Sequence, residues 1–172
     1  MKIDKSFLVV IRYLILLCLM FSIGIIYKIF TGLTIYSVVG LLGLFFEEVV
    51  VSGKMIIISM SVVEIVPACV AGSAYLLLLI LNLSVDMSWE KRIKSILFSF
   101  GVLFVLNVLR IVFLTSLYIN ESVFFDFSHK LFWYGLSTVF VVGIWFFVVK
   151  VFKIKEIPIY SDVRYFLKKI KR

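Results

Sequence analysis

The chain reads as an all-α integral membrane protein of about four transmembrane helices, with an outer-leaflet interfacial helix and a short β-hairpin. Three observations predict this class. Hydrophobic residues make up 63% of the 172, against roughly 45–50% in soluble domains, and the mean hydropathy is +1.19. Only 16% of residues are charged, and these gather at the chain ends and in one central loop. Between them lie four apolar runs that reach, or approach, the roughly 20 residues a hydrocarbon core requires.

Phe7–Ile29 is the first run. Lys2, Lys5 and Arg12 give it the look of a secretion signal, but its apolar part is longer than the roughly 7–15 residues of such a core and no small-residue cleavage site follows. It reads as a retained span. The second run, Cys69–Leu83, is short alone and becomes adequate if its helix starts at Pro67, since proline is well accommodated in a first turn. Ile93–Ile119 and a last helix over about 129–152 complete the set.

The segment 31–66 lies between the first two spans. Leu33–Phe46 is apolar but too short to cross, which predicts an interfacial or re-entrant helix. Val49-Val50-Val51 and Met55-Ile56-Ile57-Ile58 flank Ser52-Gly53-Lys54, and two β-branched runs around a glycine turn predict a hairpin. Its edges cannot sit unpaired in lipid, so it belongs at the water boundary or against protein, capping the bundle. A six-span count, with Leu33–Phe46 and Met55–Val66 crossing as a pair, is the alternative.

Charge sets the expected direction. The N-terminus, the loop around Lys91, Arg92 and Lys94, and the tail from Lys150 hold 14 of the 18 basic residues, so all three should be cytoplasmic. The basic tail 153–172 reads either as a segment lying on anionic lipid or as a solvated stop-transfer tail. Because the basic residues flank spans, the net charge of +8 argues for membrane lipids as partners and against nucleic acid. No internal repeat or separate soluble domain is evident.

Arg110 is the costliest residue, since an arginine at mid-membrane carries about 2.5–3.5 kcal/mol on insertion scales and ordinarily faces a bundle interior. Asn107 shares its helical face. Cys69, in a first turn after Pro67, would have free N–H groups and the positive end of a helix dipole favouring its thiolate; read alone, a small cysteine near small residues is more often a packing residue. His129 is the one histidine, placed at the outer mouth of the last span, and an imidazole with its ordinary pKa of about 6.5 shuttles protons readily. The topology puts these three toward the outer side, where they compose an acyl-transfer site of nucleophile, proton carrier and oxyanion donor. Arg110 is nine residues before Ile119, so its Cα should lie roughly 13 Å below the end of its helix. Side-chain reach, tilt or an earlier helix end must make up that depth. A metal centre lacks ligands with a single histidine, even counting Glu47, Glu48, Glu64 and Asp126, and no cofactor is expected.

A cysteine with a glycine close behind it at the start of a span, Asn107-x-x-Arg110 in the next helix, and His129 opening the last one resemble the archaeosortase/exosortase family over roughly Gly43 to Lys150. The strand-rich stretch before the cysteine is similar too. The resemblance implies that Cys69, Arg110 and His129 are catalytic, with Asn107, Glu64, Gly72 and Ser73 in support. It also implies a cysteine transpeptidase acting on exported proteins with a C-terminal transmembrane sorting signal and passing the new carboxyl end to a lipid acceptor. Many members carry Cys-Ser/Thr-Gly, whereas this chain has Cys69-Val70-Ala71-Gly72-Ser73. A non-enzymatic transport or assembly subunit, in which Arg110 and Glu64 are structural, is the rival reading.

Overall fold

The computed structural model describes residues 5–58 and 60–154. Helix α1 spans Lys5–Met20 and α2 Ile23–Leu42; strands β1 (Val49–Ser52), β2 (Met55–Ile58) and β3 (Ser61–Glu64) follow. Then come α3 (Pro67–Val70), α4 (Gly72–Ser84), α5 (Trp89–Ile119), α6 (Phe125–Leu131), a π-helical stretch Phe132–Leu136, and α7 (Ser137–Val151). Three helical segments, Ile23–Leu42, Trp89–Ile119 and Phe125–Val151, are long and apolar enough to cross a membrane, while α4 is a shorter apolar helix of 13 residues. The chain is thus a mostly helical, multi-pass membrane protein carrying one small sheet. Of the basic tail, only Lys153 and Ile154 fall among the described residues.

The first apolar run divides differently from the expectation. The helix breaks at Phe21-Ser22, not after Ile29. The amides of Phe21 and Ser22 tighten onto Cys18 and Leu19 carbonyls, and the Ser22 hydroxyl donates to Leu19 O at 2.7 Å, competing with the regular ladder as serine does. Beyond the break, α2 runs unbroken through Thr31 to Leu42, so the separate interfacial helix over Leu33–Phe46 is replaced by the far half of a spanning-length helix. Thr31 Oγ1 donates to Tyr27 O at 2.6 Å, which absorbs its polarity inside the helix.

The hairpin forms as the turn chemistry requires: Gly53 takes a φ of +62°, open to glycine at no steric cost, and Val50 pairs with Ile57. A third strand, unforeseen, extends the sheet to the order β1-β2-β3, with Ile57 opposite Val62. Ile56 and Ile58 are fully buried and pack with Val38 and Leu42 of α2, Val70 of α3 and Ile111 of α5. The sheet is therefore seated against protein.

A second core lies deeper in the bundle around Tyr75, Leu78, Leu103 and Trp145, where Phe30 stacks on Tyr75 with ring centroids 3.9 Å apart. Below it a buried polar cluster ties α4 to α5: Ser95 Oγ donates to Asn82 Oδ1, and Asn82 Nδ2 donates to Leu78 O at 2.8 Å. At the end of α4, Arg92 donates to Val85 O at 3.0 Å and Met87 O at 3.4 Å, capping carbonyls as a basic side chain does at a helix C-terminus. Apolar side chains such as Leu14, Leu33, Val105 and Phe146 stand exposed on the helices, as lipid contact requires.

Gly72 lets α2 approach α4. A Cβ built there would lie 2.5 Å from Tyr27 Cε1, an overlap that forces a shift. Gly72→Ala should lower stability by about 1–3 kcal/mol, read as thermal unfolding in detergent micelles. Pairing it with Tyr27→Ala should recover part of that loss; no recovery would show that the clash is not the cause.

Candidate active site

The site is assembled around a helix that stops after one turn. Val66 is extended at the N-cap and Pro67 occupies N1, as the sequence predicts. Cys69 N–H donates back to Val66 O at 2.8 Å. Ala71 then takes φ 59° and ψ 34°, the left-handed region, so α3 ends at Val70 and α4 starts in a new direction. The dipole expected behind Cys69 is consequently that of four residues only, and it contributes little to a charge.

A one-turn helix leaves its carbonyls without a full set of intrahelical donors. Two polar side chains of α5 serve them. Buried Asn107 donates Nδ2 to Cys69 O at 2.8 Å, and Arg110 donates Nη2 to Ala68 O at 3.4 Å. Arg110 Nη1 donates to Ser137 Oγ at 2.9 Å, and Ser137 Oγ in turn donates to Phe132 O at 2.6 Å. Phe132 opens the π-helical stretch, whose wider turn frees backbone groups for such side-chain partners. Ser137 is a residue that sequence reasoning missed, since one hydroxyl in an apolar helix has no local signature.

Arg110, Cys69, His129 and Glu64 line one open cleft of about 270 Å³. Its other walls are largely apolar, including Val66, Ile111 and Phe132. The depth separating Arg110 from the end of α5 is thereby overcome, because Cys69 and Ala68 also lie well below that end. Cys69 is a half-buried free thiol. His129 is exposed on α6, its ring parallel to Phe125 at 5.6 Å between centroids and 6.0 Å from Trp133. The helix carrying it begins at Phe125, four residues earlier than expected.

The supporting residues divide. Asn107 holds the Cys69 carbonyl, and Gly72 is buried against Tyr27. Glu64 faces the cleft, but among the described residues Arg110 has no carboxylate partner. Ser73 is exposed and absent from the cleft walls. Among the described residues no cluster of His, Cys, Asp and Glu has the form of a metal site.

The model of one protein family, transmembrane exosortase, matches residues 4–149. The chain belongs to the transmembrane exosortase family. No curated protein and no solved structure matches it. Membership places the chain among membrane-embedded, sortase-like proteins. The sequence departure now has a structural position: in Cys-Ser/Thr-Gly the glycine would fall at residue 71, and here that position holds an alanine at φ 59°.

A non-glycine residue held there costs on the order of 1–3 kcal/mol. Ala71→Gly should therefore raise stability by about 0.5–1 kcal/mol after the extra chain entropy of glycine is deducted; a lower melting temperature would contradict the assignment. Arg110→Lys and Ser137→Ala should be non-additive. An ammonium is a point donor without the fork by which the guanidinium holds Ser137 Oγ and Ala68 O, and a double-mutant cycle on unfolding should return a coupling of about 0.6–1.7 kcal/mol.

Proposed function

We propose that the chain is a cysteine transpeptidase that cleaves C-terminal sorting signals of exported proteins and transfers the new carboxyl end to a lipid acceptor. The observation that carries this reading is the single cleft lined by Cys69, Arg110 and His129 in a member of the exosortase family. The Cys69 thiolate attacks the scissile carbonyl carbon, and the carbonyl oxygen takes up the negative charge. Arg110 stabilises that oxyanion. Each of its Nη groups carries two N–H donors, so donor capacity remains after Ser137 and Ala68 are served.

Collapse of the tetrahedral adduct breaks the C–N bond. The departing amine takes a proton from His129, leaving a thioester on Cys69. An acceptor nucleophile loses its proton to the imidazole, attacks the thioester and releases the thiolate; with water as acceptor the same residues constitute a protease. Asn107 positions the cysteine by holding its carbonyl, and Glu64 contributes charge at the cleft wall.

Four crossings with both termini cytoplasmic accompany this proposal, with α3–α4 as the short second crossing. The cleft then opens on the outer side, where a substrate's own transmembrane helix arrives laterally.

Cys69→Ala should abolish processing of a co-expressed exported protein ending in a transmembrane helix and basic tail. Cys18→Ala, an exposed cysteine on α1, should leave processing intact. Processing is read as the mass shift of the substrate, with membrane insertion of each variant checked in parallel. Unchanged processing in Cys69→Ala would eliminate the reading.

A further inference from the structure

β3 is an edge strand, paired with β2 on one side only. Its register fixes which main-chain groups are used. Ile65 N–H donates to Lys54 O at 2.9 Å, so Ile65 faces β2. In an antiparallel ladder such groups alternate along the strand, and Val63 and Ser61 therefore face β2 as well. The N–H and C=O groups of Val62 and Glu64 point to the free edge. Among the described residues they have no hydrogen-bond partner.

That free edge coincides with the cleft. The five consecutive residues Val62–Val66 all line it, although successive side chains of a strand point to opposite faces. A cavity touching every residue in turn runs along the backbone edge, not over one face. It leads from β3 directly to Cys69. The same cleft is lined by the stripe Phe125, His129 and Trp133 at spacing four, so a peptide edge and a row of rings share one cavity.

We propose that the cleft binds the substrate around its scissile bond as an extended strand added to the free edge of β3, with the rings of Phe125, His129 and Trp133 packing over it. This deepens the transpeptidase reading and rests on it. Main-chain pairing to Val62 and Glu64 gives binding that tolerates varied side chains, as β-augmentation does. It also removes an unpaired edge that a membrane protein otherwise has to shield. The occupant is an extended polypeptide because its unpaired donors and acceptors match those on the edge, which a lipid tail cannot do.

The test uses the full-length Cys18→Ala protein in liposomes, with acetyl-Val-Val-Ala-Ala vinyl sulfone as probe and mass spectrometry of Cys69 as readout. The tetrapeptide should label Cys69 at least tenfold faster than acetyl-Ala vinyl sulfone. Single N-methylation should slow labelling at least tenfold at alternate probe residues and little at those between. Val62→Pro deletes one edge N–H while leaving the β2-facing bonds, a placement proline tolerates at sheet edges. It should slow the tetrapeptide at least tenfold and leave iodoacetamide alkylation of Cys69 unchanged, with Val62→Thr behaving as the parent.

Equal rates for the two vinyl sulfones, or N-methyl effects without alternation, would overturn the proposal. Should Val62→Pro also lose iodoacetamide labelling through misfolding, the N-methyl scan on the parent protein decides. Association of two copies blocked by Val62→Pro, with tetrapeptide labelling unaffected, would assign the edge to self-pairing and overturn it too. Intact processing in Cys69→Ala sinks the enzyme itself, whereas strand addition fails alone if processing needs Cys69 but the scan is flat.

Discussion

The site depends on one constraint: a helix interrupted within a membrane bundle must have its carbonyl groups satisfied by something other than water. The interruption here is Ala71, whose left-handed conformation ends α3 one turn after Pro67. The carbonyls of Ala68 and Cys69 fall to Arg110 and Asn107, three residues apart on α5. Bringing those donors to the break necessarily brings a guanidinium to the thiol. Structural satisfaction and the proposed chemistry thus fall to the same side chains, and the arginine that the bilayer penalises most is anchored on two other elements, α3 and α7.

The anchoring reaches the far side of the cleft through Ser137. Its hydroxyl accepts from Arg110 and donates to Phe132 O, at the start of the π-helical stretch. The wider turn there lies between α6, which bears His129, and α7, which packs in the bundle core. A change in the π stretch would accordingly move the histidine and arginine sides of the cleft together. At the opposite end of α4, the Asn82–Ser95–Ser99 cluster and the Arg92 cap hold α4 to α5. With α4 fixed below, the break at Ala71 sets the direction of α3.

Residues that act through strong local rules were legible in the sequence. Pro67 marks a helix start because it lacks an N–H, Gly53 marks a turn because it accepts positive φ, and Arg110 marks an interior face because lipid excludes it. These located the hairpin, the start before the cysteine and the arginine's side of α5. Features set by competition were hidden. The helix breaks at Ser22, whose hydroxyl bonds Leu19 O, whereas Thr31 and Ser99 bond back in the same way and their helices continue. Strand β3 is four residues long and exists through its pairing with β2, which no local pattern announces. Ser73, a supporting residue by resemblance, lies just past the turn at Ala71 and stands exposed outside the cleft walls.

The shortness of α3 also moves the burden of the proposed chemistry. A long helix starting at Pro67 would have offered its dipole to the cysteine; a single turn offers little, and its carbonyls need donors of their own. Charge stabilisation at the thiol and at the developing oxyanion must then come from side chains lining the cleft, chiefly Arg110, within apolar walls that keep its field from being screened. That requirement accounts for placing an arginine, and not a neutral donor, beside the break. Asn107 would have sufficed to satisfy a carbonyl, while only a fixed positive charge both satisfies one and attracts an anion across the same few ångströms.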